Sequence, residues 1–253
     1  MPSAFLFNRM IDKPRGNPGL LLFIFTLAAI ASGLIALFWR SPWLLAFMIL
    51  PFSAVLVIMI RERLPALTMA IMGAAIGTAT EISCVAGGVW SYAETGGLPF
   101  IPPWTAPLWA CLAPALWLIR GALPLNPPAV KGSASGLPFF FVGIIIEIAV
   151  FVIFGRNTML SLFACLPLAA GTFALSIDRR TTFAFMAAGF LIGPGCEALP
   201  IAFGAWSYAT VQVMGMPAWL PFGYGIFASL VGWAAHDISG IFSKKKRKGL
   251  NTH

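Results

Sequence analysis

Two glutamates, Glu81 and Glu197, stand 116 residues apart, and each precedes the same aromatic tripeptide, Trp90-Ser91-Tyr92 and Trp206-Ser207-Tyr208. A third, Glu147, interrupts an otherwise apolar run. Carboxyls set among hydrocarbon and aromatic rings have a narrow range of chemistry. Burial disfavours the charged form, and a second carboxyl nearby disfavours it further, so one of a close pair keeps its proton. Such an acid can protonate a carbon–carbon double bond, and the faces of Trp and Tyr attract the resulting cation. The other carboxylate can then deprotonate a water or take a proton from the product. Glu81 and Glu197 are therefore the candidate catalytic residues. Trp90, Tyr92, Trp206, Tyr208 and Glu147 are the candidates for substrate binding. The reaction class is hydration or cyclisation of a lipophilic, isoprenoid-like molecule, with no metal and no nucleotide.

The elements that position these residues must be membrane helices. The chain has 253 residues, 59% hydrophobic and 9% charged, whereas a soluble domain carries roughly 25% charged residues to solvate its surface. A hydrocarbon core about 30 Å thick needs about 20 apolar residues in helical form. The expected spans are 20–38, 43–60, 66–88, 106–123, 137–155, 158–176, 182–203 and 220–242. With the N-terminus in the cytoplasm, Arg9, Lys13, Arg15, Arg61, Arg63, Arg120, Lys131, Arg179, Arg180 and the run Lys244–Lys248 lie inside. Only Arg40 and Arg156 lie outside, an asymmetry that follows the positive-inside rule and fits an even number of spans. The net charge of +8 is thus topogenic and does not point to nucleic acid.

An internal duplication organises the spans. Shifted by 116 residues, Leu50-Pro51 falls on Leu166-Pro167, and Gly73, Ile76, Gly77 and Glu81 fall on Gly189, Ile192, Gly193 and Glu197. Gly88 and Trp90 to Ala93 fall on Gly204 and Trp206 to Ala209, and Arg40 falls on Arg156. With two residues inserted, Gly97-x-Pro99 meets Gly215-x-Pro217 and Pro103 meets Pro221. Scarce residue types recurring at one offset are not explained by shared apolar bias. Glu147 meets Ala31, so it belongs to the second half alone. The fold expected is an all-α integral membrane protein of eight transmembrane helices in two parallel four-helix repeats, both termini cytoplasmic. Its parts are an N-terminal segment 1–19, a first repeat 20–123, a linker 124–136, a second repeat 137–243 and a basic tail 244–253. Because the first span takes part in the repeat, it reads as structural and not as a cleaved signal. The expected location is a bacterial cytoplasmic membrane.

Plainer readings stand beside these. Trp90, Tyr92, Trp206 and Tyr208 have the makings of an interfacial aromatic belt, and two buried acids can serve as satisfied interhelical hydrogen bonds. Parallel repeats with intramembrane acids also fit a small proton-coupled transporter or a lipid-binding protein. His236-Asp237 lies at the opposite end of its span from the Glu pair and reads as structural. Cys84, Cys111, Cys165 and Cys196 form no metal motif and read as small hydrophobes.

The order Glu, Gly-x-Trp-x-Tyr, Gly-x-Pro and a returning helix resembles the membrane-bound carotenoid biosynthesis proteins, among them hydratases of terminal double bonds. The better match runs from Glu197 through Gly204, Trp206 and Tyr208 to Gly215-Met216-Pro217. It departs from the family at Glu197, where an aspartate followed by proline is expected. The resemblance implies an acid role at Glu81 and Glu197 and a lipophilic substrate drawn from the bilayer, with membrane lipids the other partners and no cofactor.

Overall fold

The computed structural model describes residues 17–60, 63–122, 136–176 and 178–250. Among them are eight helices: α1 (Pro18–Phe38), α2 (Pro42–Met59), α3 (Arg63–Ala86), α4 (Thr105–Ala122), α5 (Gly136–Phe154), α6 (Thr158–Ala174), α7 (Arg179–Ala202) and α8 (Leu220–Leu250). Two short strands, β1 (Trp90–Tyr92) and β2 (Trp206–Tyr208), follow α3 and α7 and amend the all-α expectation. Seven helices end within a few residues of the expected spans. The eighth continues to Leu250, so the run Lys244–Lys248 prolongs the last helix instead of forming a separate tail. Arg9, Lys13, Arg15, Arg61 and Lys131, with nearly all of the N-terminal segment and linker, lie outside the described residues.

Local chemistry sets the helix starts. Asn17, Asn157 and Asp178 cap α1, α6 and α7, each side chain accepting the N–H of the residue three positions on at 3.2 Å. Pro18 and Pro42 occupy first-turn positions, where the missing N–H has no intrahelical partner to lose. Asp237 of α8 accepts the Leu137 N–H at 3.0 Å, placing an acid at the amino end of α5. That is a structural role for the one acid near His236.

Five helices, α1, α2, α3, α5 and α7, are long and apolar enough to cross a membrane. Shorter apolar helices cover Thr105–Ile119, Thr158–Ala174 and Leu220–Ala235. Large apolar side chains such as Leu22, Phe47, Ile145, Phe163 and Leu191 point outward around the bundle. Water does not tolerate that much contiguous apolar surface. The chain is an integral membrane protein.

The helices pack as two matched sets. The most intimate pairs are α3 with α4 and α7 with α8; α1 lies on α7 as α5 lies on α3, and α4 meets α8 at the centre. Glycines explain the closeness. Gly73 and Gly77 on α3, and Gly189 and Gly193 on α7, have the four-residue spacing that lets helix backbones approach. A Cβ at Gly77 would overlap the Trp109 ring, and one at Gly193 the Tyr224 ring. At Gly73 and Gly189 it would strike the carbonyls of those same two residues. Trp109 and Tyr224 are therefore equivalent, at an offset of 115. So are Trp104 and Trp219, because the turns entering α4 and α8 are closed by Thr105 N to Pro102 O and by Leu220 N to Pro217 O. This corrects the matches of Pro99 with Pro217 and of Pro103 with Pro221. The two loops differ in length on both sides of Gly97 and Gly215, and prolines alone do not fix the alignment there.

Candidate functional site

The site begins where α3 and α7 stop. Gly88 and Gly204 take left-handed backbone angles, φ 69° and 81°, which side-chain-bearing residues rarely adopt. Each closes a paired cap: Gly88 N bonds Val85 O and Val89 N bonds Cys84 O, with Gly204–Ile201 and Ala205–Pro200 as the counterparts. The chain thus turns sharply back, bringing a residue nine positions past each glutamate against it.

Each strand then pairs with the other. β1 and β2 run antiparallel with Trp90 opposite Tyr208, Ser91 opposite Ser207 and Tyr92 opposite Trp206. Side chains alternate faces along a strand, which explains the Trp-Ser-Tyr pattern. Ser91 and Ser207 are exposed, their hydroxyls 3.4 Å apart. The four aromatic side chains face inward and pack across the strand pair, Trp90 on Tyr208 at 5.6 Å and Tyr92 on Trp206 at 5.9 Å between ring centroids.

All four converge on the carboxyls. Glu81 Oε2 accepts from Trp90 Nε1 at 2.9 Å and Tyr92 OH at 2.7 Å, and its Oε1 accepts from Trp109 Nε1 at 3.1 Å. Glu197 Oε2 accepts from Trp206 Nε1 at 3.3 Å and Tyr208 OH at 2.6 Å, and its Oε1 accepts from the Tyr224 hydroxyl. Both carboxyls are buried. Three donors hold each one, two on Oε2 and one on Oε1, so both oxygens are tied to the protein. Trp109 and Tyr224 were not among the expected site residues. The signal for them was the glycine pair one helix away, whose groove has room for a large ring.

Beneath this cluster lies a cavity of about 230 Å³. Glu81, Glu197, Trp90, Tyr92, Trp206, Tyr208 and Glu147 all line it, so every expected site residue reaches one space. All three tyrosines and five of the nine tryptophans line it too, which concentrates aromatic faces around the carboxyls. Apart from Ser32, Thr80, Cys111 and Cys196, the rest of the wall is apolar. Among the described residues that line it, Phe25 on α1 is the most exposed, at 45%.

The duplication explains why the space is where it is. Ile144, Glu147 and Ile148 of α5 are matched on α1 by Ala28, Ala31 and Ser32, and all six line the cavity. Small side chains on α1 leave open what larger ones on α5 fill. Glu147 is only 4% exposed, yet among the described residues no hydrogen bond reaches its carboxyl. It does not pin neighbouring helices. Among the described residues no group of three or more His, Cys, Asp or Glu could hold a metal ion, and the four cysteines are free.

No protein-family model and no curated protein matches the chain. Two solved structures are similar to it, both of an Insig homologue from Mycobacterium vanbaalenii, one of them a cross-linked trimer. Each is 20% identical with a TM-score of 0.48, covering 68% of this chain and 94% of that one. So distant a likeness carries no function across.

An amide in place of either carboxyl would present N–H groups to a ring of N–H and O–H donors. Glu81→Gln and Glu197→Gln are each expected to destabilise the protein by about 1–3 kcal/mol per orphaned donor, read as a lower melting temperature in detergent. Unchanged melting temperatures for both variants would show that these bonds do not hold the strands.

Proposed function

We propose that the protein is a membrane enzyme that takes one end of a lipophilic, isoprenoid-like molecule into the cavity and acts on a double bond there by acid–base chemistry. The observation that carries this reading is the cavity itself: an apolar space, roofed by Trp and Tyr faces, with carboxyls in its wall. Hydrocarbon walls suit an apolar ligand, and few polar solutes would find partners. The volume lies under the roughly 300 Å³ at which sites for drug-sized ligands begin, so it suits the end of a long chain. Phe25 both lines the cavity and is exposed on the surface of the bundle, where a substrate arriving from lipid would meet it. Aromatic faces around the carboxyls are suited to a developing carbocation. The resemblance to carotenoid biosynthesis proteins agrees in substrate class and chemistry, whether hydration or cyclisation.

A lipid-binding or transport protein is the second reading. The engagement of Glu81 and Glu197 by three donors each favours it, since carboxyls so engaged are explained by structure alone. Comparing lipid extracts from cells with and without the gene by mass spectrometry separates the two. An enzyme is expected to leave an unsaturated precursor in the deletion strain and a product heavier by water, or an isomer of it, in the wild type. Identical extracts, with an unchanged lipid co-purifying with the protein, would favour binding over catalysis.

The architecture belonging to this proposal is eight transmembrane helices in two parallel repeats, related by a two-fold axis along the membrane normal, with both termini cytoplasmic. Matched helix contacts and a strand pairing centred on the equivalent Ser91 and Ser207 support it. The basic asymmetry supports the orientation in a bacterial cytoplasmic membrane. Single cysteines placed at Glu94, Arg156 and Val211 are expected to react with an impermeant reagent from outside the cell. Labelling of Glu94→Cys only after the membrane is opened would reverse the orientation.

A further inference from the structure

We propose that the acid meeting the ligand is Glu147, and that Glu81 and Glu197 are positioning residues that hold the aromatic roof. This rests on the reading that an isoprenoid-like end enters the cavity. All three glutamates line the same space, but their surroundings differ in kind. Glu81 and Glu197 are engaged on both oxygens by indole and phenol donors. Glu147 is buried to the same degree and has no hydrogen bond among the described residues. An unsatisfied carboxyl in hydrocarbon is among the most unfavourable placements a side chain can have. Either a bound proton or a donor on the ligand relieves it.

The duplication sharpens the contrast. The glutamates with symmetry mates share a structural arrangement that both halves need. The glutamate without one has Ala31 at its matching position, and both residues line the cavity. A group present in one half only suits a ligand that itself has no two-fold symmetry within the site.

The step assigned to Glu147 is proton transfer. Its O–H gives the proton to the less substituted carbon of a terminal double bond, and the π electron pair becomes the new C–H bond. Positive charge develops on the more substituted carbon, against the aromatic faces. A water adds through oxygen, and the proton it sheds returns to the Glu147 carboxylate. The sum is alkene plus water giving a tertiary alcohol, with nothing oxidised or reduced. Read in reverse, the same carboxyl receives the hydroxyl of an isoprenoid alcohol. A neutral hydroxyl or double bond is thus the ligand chemistry that fits.

The test uses dicyclohexylcarbodiimide, an apolar reagent that partitions into membranes and adds to carboxyls reachable from hydrocarbon. Full-length protein in native membranes is treated, digested and mapped by mass spectrometry. Glu147 is expected to be labelled, Glu81 and Glu197 are not, and geranylgeraniol, an isoprenoid alcohol, is expected to block the reaction. Labelling is lost in Glu147→Gln. Glu147→Leu is expected to melt no lower than the wild type, because no hydrogen bond is removed, while losing product formation in the lipid-extract comparison. Labelling at Glu81 or Glu197 in place of Glu147 would overturn the proposal. So would labelling that geranylgeraniol fails to block, or a Glu147→Leu melting temperature lowered as far as that of Glu197→Gln. Unchanged lipid extracts alongside protected labelling at Glu147 would overturn the enzyme reading and leave the ligand-binding carboxyl standing.

Discussion

Each buried glutamate of the repeated pair must have its oxygens satisfied, and the rest of the site is arranged around that requirement. For a carboxyl buried in ionised form the effective penalty is several kcal/mol. A hydrogen bond to a charged acceptor contributes about 1.5–3 kcal/mol, so three such bonds are on the scale needed to offset it. The three come from different elements: two from the strand after the helix and one from the helix that returns. A single carboxyl thus ties strand and returning helix to its own helix. Because β1 and β2 also pair with one another, the two tied units share one aromatic roof.

Within that frame the cavity comes from a broken match. Most of the buried surface repeats from half to half, glycine grooves and edge-on aromatic pairs included; Tyr92 meets Trp104 at 5.6 Å as Tyr208 meets Trp219 at 6.1 Å. Along α1 and α5 it does not. Ala28, Ala31 and Ser32 stand where Ile144, Glu147 and Ile148 stand in the other half. Packed interiors leave few voids by default, so a cavity beside a divergent face, with a carboxyl in it, reads as a place kept for something. The aromatic roof supplies what a cationic transition state needs, and the repeat supplies the rigidity to keep it in place.

Much of this was legible in the residues. Long apolar runs broken by Pro, Asn and basic residues located the helices, because lipid leaves few alternatives for an apolar chain. The recurrence of Glu with Trp-Ser-Tyr marked the site, since scarce polar and aromatic types do not recur at a fixed offset by composition. What escaped was the geometry that turns a motif into contacts. Three-residue strands have no periodicity to detect, and the fold-back at Gly88 and Gly204 depends on backbone angle more than on sequence. Trp109 and Tyr224 escaped because the offset changes in the loops before them, so a tryptophan and a tyrosine in equivalent places do not line up by identity. Glu147 was visible as an acid, but its lack of partners is a property of three-dimensional packing.

The most direct test is a crystal structure of the full chain grown in a lipidic phase from native membranes. Elongated density is expected to enter beside Phe25, run under the aromatic roof and end within hydrogen-bond distance of Glu147, with Glu81 and Glu197 still held by their three donors each. A cavity filled only by ordered water, or closed by α1 with Glu147 bonded to a protein group, would contradict it.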